Sequence, residues 1–369
     1  MRRLVPALVA LVALASLPAC GGEEPPPATP APPPPEPTSA PVTEPAAPPA
    51  PKPTLAELQK QALGTALAGL NGHDPKAFAS VYAEDGVISV AGLNEINGRE
   101  AIAQNMTEWF ETFKDVRLGF SRVWVKGDTM ALEWVINGKH HGELFGVKGT
   151  EQPIGHYGFS VVSFNADGKV ASEHRYGELG AVMAQVAPGK AAARPIPPVP
   201  DKPEVIATTG APEEDKNVEL AKAALAALET KKEADFVGAL RDDVEHDGLF
   251  HLETTRGKAE AKKFFKSFTT AFPDAKFEVG KALGIGDYAI IESTLKATHK
   301  GALGKIAPTK RAVAVHLVDV FKITEGKIAR VWTYQNSVEM QQQLGLFDVK
   351  PGAVPASQKA PATAKPAPR

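Results

Sequence analysis

The sequence predicts a protein of the α+β class with two cone-shaped barrels, each a curved antiparallel sheet covered by N-terminal helices. Three observations carry this prediction: an internal repeat, the order of helical and strand patterns within each copy, and proline-rich segments around the copies. At 369 residues, of which 43% are apolar, the chain is also long enough to build two hydrophobic cores.

The internal repeat is visible when the two halves are aligned at an offset of 158 to 159 residues. Leu70 and Phe78 then meet Leu228 and Phe236, and the segment GDTMALEW meets GDYAIIES. The offset stays nearly constant along both copies, so chance is a poor explanation. The sequence therefore predicts a duplicated domain.

Each copy begins with two helical patterns and continues with three long β-rich segments. In the first copy Leu63, Leu67 and Leu70 recur at the spacing of one helix face, and a second amphipathic pattern runs from Ile102 to Phe113. The turns NADG and TEGK join the last two β-rich segments and suit hairpins. Helices that precede antiparallel strands predict helices packed on one face of a curved sheet, whose interior is either filled or occupied by a ligand.

Composition predicts the remaining boundaries. About half of the residues from Glu23 to Pro53 are proline, which favours an extended, semi-rigid and disordered tether. The predicted organisation is a lipoprotein signal peptide at 1–19, a proline-rich linker at 20–53, domains at 54–187 and 213–347, a second linker at 188–212 and a disordered tail at 348–369.

The N-terminus has the pattern of an export signal. Arg2 and Arg3 precede an apolar run, Leu4 to Leu17, that is too short to span a membrane. The following LPAC resembles the lipobox of bacterial lipoproteins, which implies a lipidated Cys20 as the membrane anchor. The resemblance, with Gly21 after the cysteine, implies a lipid-anchored protein of the cell envelope, favouring the outer membrane with the domains at its periplasmic face or surface. The alternative is an ordinary secreted protein with an unused Cys20, the only cysteine of the chain.

Several classes of function are disfavoured by what the sequence does not contain. The formal net charge is -2 and no block of Lys and Arg occurs, which argues against a nucleic-acid partner. There is no Walker loop, nucleophile elbow, zinc-ligand spacing or dinucleotide fingerprint, so no cofactor and no metal is expected. His246 and His251 lie on either side of Asp247 at a strand–loop boundary, a pattern that does not predict a metal site.

The second copy resembles a known family. Its segments AFPDAKFEV, ATHKGALGKIAPTKR, FKITEGKIARVW and QQQLGL are similar, in this order, to the SnoaL-like polyketide cyclases of the nuclear transport factor 2-like superfamily. The first copy keeps GREAI, GKHHGELFG and DGKVASEHR. The resemblance implies a pocket in each cone and, in the cyclases, an Asp near the end of the last strand as the acid/base of an intramolecular aldol closure.

The position of that Asp differs between the two copies. Alignment of the last strand places Asn336 there in the second copy and Glu178 in the first. An amide cannot exchange a proton near neutral pH, whereas a buried glutamate has a raised pKa that suits general acid/base work. The sequence therefore predicts a non-catalytic second domain and a catalytic candidate, Glu178, in the first.

Further residues are candidates for the pocket walls because of their faces on the predicted strands and helices. Each has a structural alternative: aromatic side chains also fill cores, and a histidine at a strand end is often bonded to backbone. The candidate ligand-binding residues are Trp109, Trp134, His140, His174 and Tyr176 in the first copy and His299, Trp332, Tyr334 and Asn336 in the second.

Three functions remain open. The leading one is non-catalytic binding of a small apolar molecule by one or both cones. The second is an aldol-type cyclase or isomerase that uses Glu178, with Tyr176 steadying an oxyanion. The third is an interaction module, in which the two domains form an intramolecular pseudo-dimer through their sheets and present a surface to an envelope partner.

Overall fold

The computed structural model describes residues 52–186, 194–248 and 253–347. The leader, Cys20, the linker up to residue 51 and the tail 348–369 lie outside the described residues, so the predictions made for them stay predictions. Both repeats belong to one compact unit that begins at Lys52. Within the described residues, no helix is long and apolar enough to cross a membrane.

The two repeats have the same order of helices and strands. The first contains α1 (Leu55–Asn71), α2 (Pro75–Ala79), β1 (Tyr82–Val90), β2 (Glu95–Asn97), α3 (Arg99–Thr112), β3 (Phe113–Lys126), β4 (Thr129–His140), β5 (Pro153–Phe164), β6 (Val170–Gly177), α4 (Leu179–Val186) and the added β7 (Glu204–Ala207). The second contains α5 (Pro212–Glu229), α6 (Glu233–Gly238), β8 (Leu240–Gly248), β9 (Thr255–Arg256), α7 (Gly257–Ala271), β10 (Lys276–Ile285), β11 (Tyr288–Thr298), β12 (Ala312–Thr324), β13 (Lys327–Gln335) and α8 (Ser337–Leu344).

Local sequence explains where the first helix begins. The Thr54 hydroxyl accepts a hydrogen bond from the Glu57 amide, and the Glu57 carboxylate accepts one from the Thr54 amide, which forms a capping box. The apolar face of α1 then packs into the first core with α3 and the strands. Helices before strands, each packed on a sheet, confirm the predicted α+β class.

Each repeat forms one sheet, with the order β2-β1-β6-β5-β4-β3-β7 in the first and β10-β11-β12-β13-β8-β9 in the second. The long strands pair as antiparallel hairpins, but the first strand pairs in parallel with the last, β1 with β6 and β8 with β13. A parallel partner requires a long crossover, which the helices and hairpins in between supply. This closure brings residues that are far apart in sequence to adjacent positions on β8 and β13.

The two sheets are buried on both faces. One face of each packs against its own helices. The other faces meet in a shared core to which the first repeat contributes Trp124 and Phe159 and the second contributes Tyr288 and Tyr334. Because both faces are apolar, hydrophobic alternation cannot show which side of a strand faces the interior of its own cone.

Part of the segment assigned to the linker at 188–212 is a strand. The residues Glu204–Ala207 pair in parallel with β3, with Glu204 opposite Arg122. The edge of β3 offers backbone groups that an extended chain can satisfy, and the proline-rich composition gave no sign of this pairing.

Candidate functional site

A mostly apolar cavity lies between helices and sheet in each repeat. Cavity 1, in the first repeat, has a volume of about 170 Å³, and cavity 2, in the second repeat, has about 460 Å³. A 150 Å³ apolar cavity holds benzene, so at roughly 25 Å³ per non-hydrogen atom cavity 2 has room for roughly 18 such atoms. Cavity 2 can therefore enclose a ligand of two or three fused rings, whereas cavity 1 suits a single ring.

The last strand of each repeat presents its odd-numbered residues to the cavity. Glu173, Arg175 and Gly177 line cavity 1, and Thr333 and Gln335 line cavity 2. Side chains alternate along a strand, so the even-numbered residues face the opposite repeat. The sequence-based assignment chose the even-numbered face, and this choice was wrong.

Four of the candidate ligand-binding residues therefore lie between the repeats. Tyr176 donates to Glu292 Oε1 at 2.8 Å, and His174 Nδ1 lies 3.0 Å from the same oxygen. Tyr334 donates to Glu133 of the first repeat, so the two tyrosines make reciprocal contacts across the interface.

Trp332 lies on the same face as Tyr334, beneath the Arg122 guanidinium, whose Cζ is 3.8 Å from its ring centroid. Its aromatic surface therefore covers a cation of the first repeat. None of these four side chains lines either cavity.

Asn336 and Glu178 occupy matching places, and both face the opposite repeat. Asn336 is fully buried, caps α8 by accepting from the Val338 amide, and donates from Nδ2 to the Ala91 carbonyl of the first repeat at 3.0 Å. Ser337 donates from its hydroxyl and its amide to Glu178. Neither residue lines a cavity wall, because each begins the turn into a helix that packs at the interface.

Burial raises the pKa of Glu178 to about 7, against hydrogen bonds from Ser337 that favour the ionised form. The raised pKa agrees with the expectation for a buried glutamate. The carboxyl group, however, is held by Ser337 rather than presented to a ligand. The inference that the second repeat is non-catalytic rested on Asn336 facing the cavity, so it loses its basis.

The two tryptophans of the first repeat do line cavity 1, as expected for Trp109 and Trp134. Trp134 donates from Nε1 to Ser160 Oγ at 3.1 Å. Its indole lies against Gly158, where an added Cβ would come within 2.1 Å of the ring. A glycine at this position is therefore required for the tryptophan to lie flat along the cavity wall.

His140 and His299 share one structural role. Both are fully buried, with Nδ1 at 3.2 and 3.1 Å from the hydroxyls of Thr150 and Thr309. Neither Nε2 has a hydrogen-bond partner among the described residues, and neither ring belongs to a cavity wall. Because the same arrangement occurs in both repeats, we interpret these histidines as structural.

The polar groups of cavity 1 bond to one another. Glu173 accepts hydrogen bonds from Tyr82, Ser160 and Arg175. Burial opposes ionisation of Glu173, but the Arg175 charge and these hydrogen bonds outweigh it and lower the pKa of the carboxyl. The same wall holds His156, whose pKa burial lowers to about 4. The carboxylate of cavity 1 is therefore fixed as an anion with its bonding capacity largely used.

Cavity 2 contains an acid that the sequence analysis missed. Asp319 on β12 lines the cavity, is 5% exposed and accepts a hydrogen bond at Oδ1 from Thr333 at 2.6 Å. Oδ2 has no hydrogen-bond partner within the described ranges. Burial raises the pKa of Asp319 to about 7, and the Thr333 hydroxyl offsets part of this effect. The signal in the sequence was one Asp at an inward position of the apolar run VAVHLVDVF.

Asp319 is the carboxyl group best placed for proton transfer. A group whose pKa lies near neutrality can both accept and donate a proton at physiological pH. In the part of the chain that the structure describes, no cluster of His, Cys, Asp and Glu could hold a metal ion. The position of Asp319 in the wall of cavity 2 and its pKa of about 7 suit acid/base chemistry on a ligand there.

Two repeated α+β domains, each with an apolar cavity between its helices and its sheet, define a protein of the nuclear transport factor 2-like class. The family model of the SnoaL-like polyketide cyclases matches residues 60–186 and 218–344, so the chain belongs to this family, twice over. No curated protein was found to match the chain.

Solved structures match one domain at a time. AclR from Streptomyces galilaeus is 24% identical over 38% of this chain and 89% of its own, with a TM-score of 0.34. A protein with a ketosteroid isomerase-like fold from Catenulispora acidiphila is 20% identical over 34% of this chain and 92% of its own, with a TM-score of 0.31. An LEH-like epoxide hydrolase from M. tuberculosis is 18% identical over 37% of this chain and 94% of its own, with a TM-score of 0.31.

Proposed function

We propose that the second repeat binds a small, mostly apolar molecule in cavity 2 and transfers a proton to or from it through Asp319. The observation that carries the proposal is a buried carboxyl group with a pKa of about 7 in the wall of a cavity of about 460 Å³. The substrate class that fits is a neutral fused-ring ketone, since abstraction of a proton next to a carbonyl needs a base in an apolar site.

The first repeat supports binding rather than proton transfer. Its cavity is smaller, and its carboxylate, Glu173, is held by Arg175 in an ion pair that lowers the pKa. Its other candidate acid, Glu178, bonds to Ser337. An aldol-type cyclase or isomerase based on Glu178 would need that carboxyl group to turn away from the second repeat.

The proposal is tested by hydrogen exchange on a probe ketone. The full chain is incubated with 2-tetralone in D2O, and mass spectrometry follows deuterium incorporation next to the carbonyl. We expect exchange above the buffer rate, and we expect Asp319→Asn to lower the protein-dependent rate by at least about a hundredfold, the usual contribution of a general base.

The matched control is Glu178→Gln, which removes the other carboxyl group with a pKa near 7. Exchange should be unchanged in this variant, because Glu178 does not line cavity 2. Binding of the ketone, followed by ligand-observed NMR, should persist in both variants. Full exchange activity in Asp319→Asn, or binding to the wild-type chain without any exchange, would contradict the proposal.

We also propose that the chain works as a lipid-anchored envelope protein. The support is the apolar leader and the single Cys20 in LPAC, followed by a proline-rich spacer that would hold the domains away from the membrane. Labelled palmitate that is incorporated into the wild-type chain but not into Cys20→Ala would support the anchor. Equal labelling of the wild-type chain and the variant would exclude it.

We further propose that the two repeats work as an intramolecular pseudo-dimer. The reciprocal contacts of Tyr176 with Glu292 and of Tyr334 with Glu133 support this pairing. A chain in which both tyrosines are replaced by phenylalanine should show a more open envelope by small-angle scattering, and an unchanged profile would argue against these contacts as the determinant.

A further inference from the structure

Asp319 is one end of a short hydrogen-bonded chain in the wall of cavity 2. The Thr333 hydroxyl donates to Asp319 Oδ1 at 2.6 Å, and Nε2 of His246 lies 3.2 Å from the same hydroxyl oxygen. A threonine hydroxyl can donate one hydrogen bond and accept others, so it connects the carboxyl group to the imidazole. All three side chains line the cavity.

The topology of the sheet brings these residues together. Asp319 on β12 is directly opposite Thr333 on β13, and His246 on β8 is opposite Val331 through the parallel pairing. His246 and Asp319 are the two ionisable side chains among the described residues that line cavity 2. The hydrogen-bonded chain therefore connects the one acid and the one imidazole that line cavity 2 among the described residues.

Among the described residues, the charged side chains next to His246 on β8 form ion pairs with arginines. On its own strand, Glu245 bonds to Arg256 and Arg330, and Asp247 also bonds to Arg330. These side chains alternate with His246 along β8 and so point away from the cavity. From the covering helix α7, the neutral ring of Phe264 packs edge-on against the imidazole at 5.2 Å between centroids.

The first repeat has no counterpart of this hydrogen-bonded chain among its described residues. At the positions that match Asp319, Thr333 and His246 it has Ser160, Arg175 and Ile88, which the strand pairing places in the same relation. There Arg175 bonds to Glu173 instead. The connected acid and imidazole are thus a property of the second repeat alone.

We propose that His246 is a positioning residue that exchanges the proton of Asp319 with solvent through the Thr333 hydroxyl. This inference rests on the proposed role of Asp319 in proton transfer. When Asp319 has taken a proton, a half-turn of the carboxyl group presents that proton to Thr333. The Thr333 hydroxyl turns to donate to the unprotonated Nε2 of His246, whose ring proton is then on Nδ1. The carboxyl O–H bond breaks as its proton bonds to the Thr333 oxygen, while the original Thr333 proton moves to His246 Nε2.

The step regenerates the carboxylate and leaves His246 as an imidazolium, so one proton is moved and no electrons are transferred. The His246 ring is only partly buried, which allows it to pass the proton on to water.

The test needs no substrate, so it can fail independently of the proposed function. The full chain is labelled with 13C at the aspartate carboxyl groups, and the Asp319 resonance is identified by its loss in Asp319→Asn. The resonance is then followed from pH 4 to pH 9. Two coupled groups titrate in two macroscopic steps, so we expect a biphasic curve for the wild-type chain and matching steps in the His246 15N signals.

The variants separate a relay from simple packing. Thr333→Val should make the Asp319 curve single-step and move its midpoint up by about one to two pH units, the worth of a lost hydrogen bond to a charged group. Thr333→Ser restores the hydroxyl and should restore the wild-type curve. His246→Phe should also abolish the second step of the Asp319 curve. If this variant does not fold, His246→Gln is used in its place with the same expected result.

Either of two results would overturn the inference. One is an Asp319 curve that is the same in the wild-type chain, Thr333→Val and His246→Phe. The other is a curve that responds to Thr333→Val but not to either His246 variant, which would assign the hydrogen bond to Thr333 alone. An absence of ketone exchange with these titrations intact would instead refute the proposed function and leave the relay standing.

Discussion

Replacing Asp319 by asparagine should make the protein more stable at pH 8. The pKa of Asp319 is about 7 in the folded chain, against about 3.9 for an unperturbed aspartate. The difference of about 3 units corresponds to about 4 kcal/mol of unfavourable free energy once the group is ionised in both states. The variant has no charge to bury, and Thr333 can still donate to its amide oxygen, so it should be more stable by up to that amount.

The sign of the effect depends on pH. Between about pH 4 and pH 7 the folded chain binds more protons at Asp319 than the unfolded chain, so its contribution to stability falls as the pH rises through this window. The stabilisation by Asp319→Asn should therefore be near zero at pH 4, grow up to pH 7 and level off above it. Urea unfolding of both chains at several pH values measures this difference directly.

Glu173→Gln is the matched control, because it makes the same chemical change in the other cavity. Glu173 is held by Arg175, and removing one partner of a buried ion pair costs about 3–5 kcal/mol. The two variants should therefore change stability in opposite directions at pH 8. If Asp319→Asn is not stabilising at pH 8, or if its effect does not vary with pH, then Asp319 is not buried in the way that the proposed chemistry requires.

Three further predictions concern the interface. Tyr176→Phe should lower the free energy of unfolding by about 1.5–3 kcal/mol, the worth of a hydrogen bond to a charged group. Tyr334→Phe should cost less, because its partner Glu133 also bonds to Arg122, whereas Glu292 has no such arginine. Urea unfolding measures the order of the two losses, and equal losses would contradict this reasoning. Glu178→Gln should stabilise the chain at pH 8 by up to about 3 kcal/mol, because the pKa of Glu178 is about 7 in the folded chain. A destabilised variant would show that the loss of the Ser337 hydrogen bonds outweighs the relief of the buried charge. The hydrogen bond that His174 donates to Glu292 raises the pKa of His174, so the stability from this pair is present below about pH 6.5 and is lost as the pH rises through the folded pKa. NMR should show that Glu292→Gln lowers the pKa of His174, and no change would exclude the pairing.

The fold could be predicted from the sequence because its signals are redundant. Every helix and strand except β7 has a counterpart in the other copy, so a weak pattern such as the helix through Ile102 is supported by the helix of Phe265 and Phe268. The short strand Glu204–Ala207 has no counterpart and no apolar alternation. It forms because the edge of β3 is available, which is a property of the folded sheet rather than of the local sequence.

The candidate site could be predicted only in part. Trp109 lies in the wall of cavity 1, as the amphipathic pattern of its helix suggests, and Trp134 lies there too, although β4 is buried on both faces. On the last strand the cavity face carries polar residues such as Thr333, and the aromatic residues Trp332 and Tyr334 favoured the opposite face, which contacts the other repeat. Those rings are large because they fill the contact between two sheets, a contact that one domain alone does not have.

Asp319 was missed for a related reason. It lies in a strand that is apolar on both faces, where one carboxyl group among valines is the informative residue. An isolated buried charge is costly, so an acid retained there without a cation needs an explanation from chemistry.

The two cavities show how a duplicated fold can hold two different electrostatic environments. At matching positions the first repeat has Ser160 and Arg175, and the second has Asp319 and Thr333. An arginine beside the acid of the first cavity keeps that carboxyl group ionised and lowers its pKa. A threonine beside the acid of the second cavity supplies one neutral hydrogen bond, and burial then raises the pKa to about 7. Because proton transfer near neutrality requires a pKa close to 7, the proposed function assigns the reaction to cavity 2, where a hydroxyl group stands in place of the cation of cavity 1.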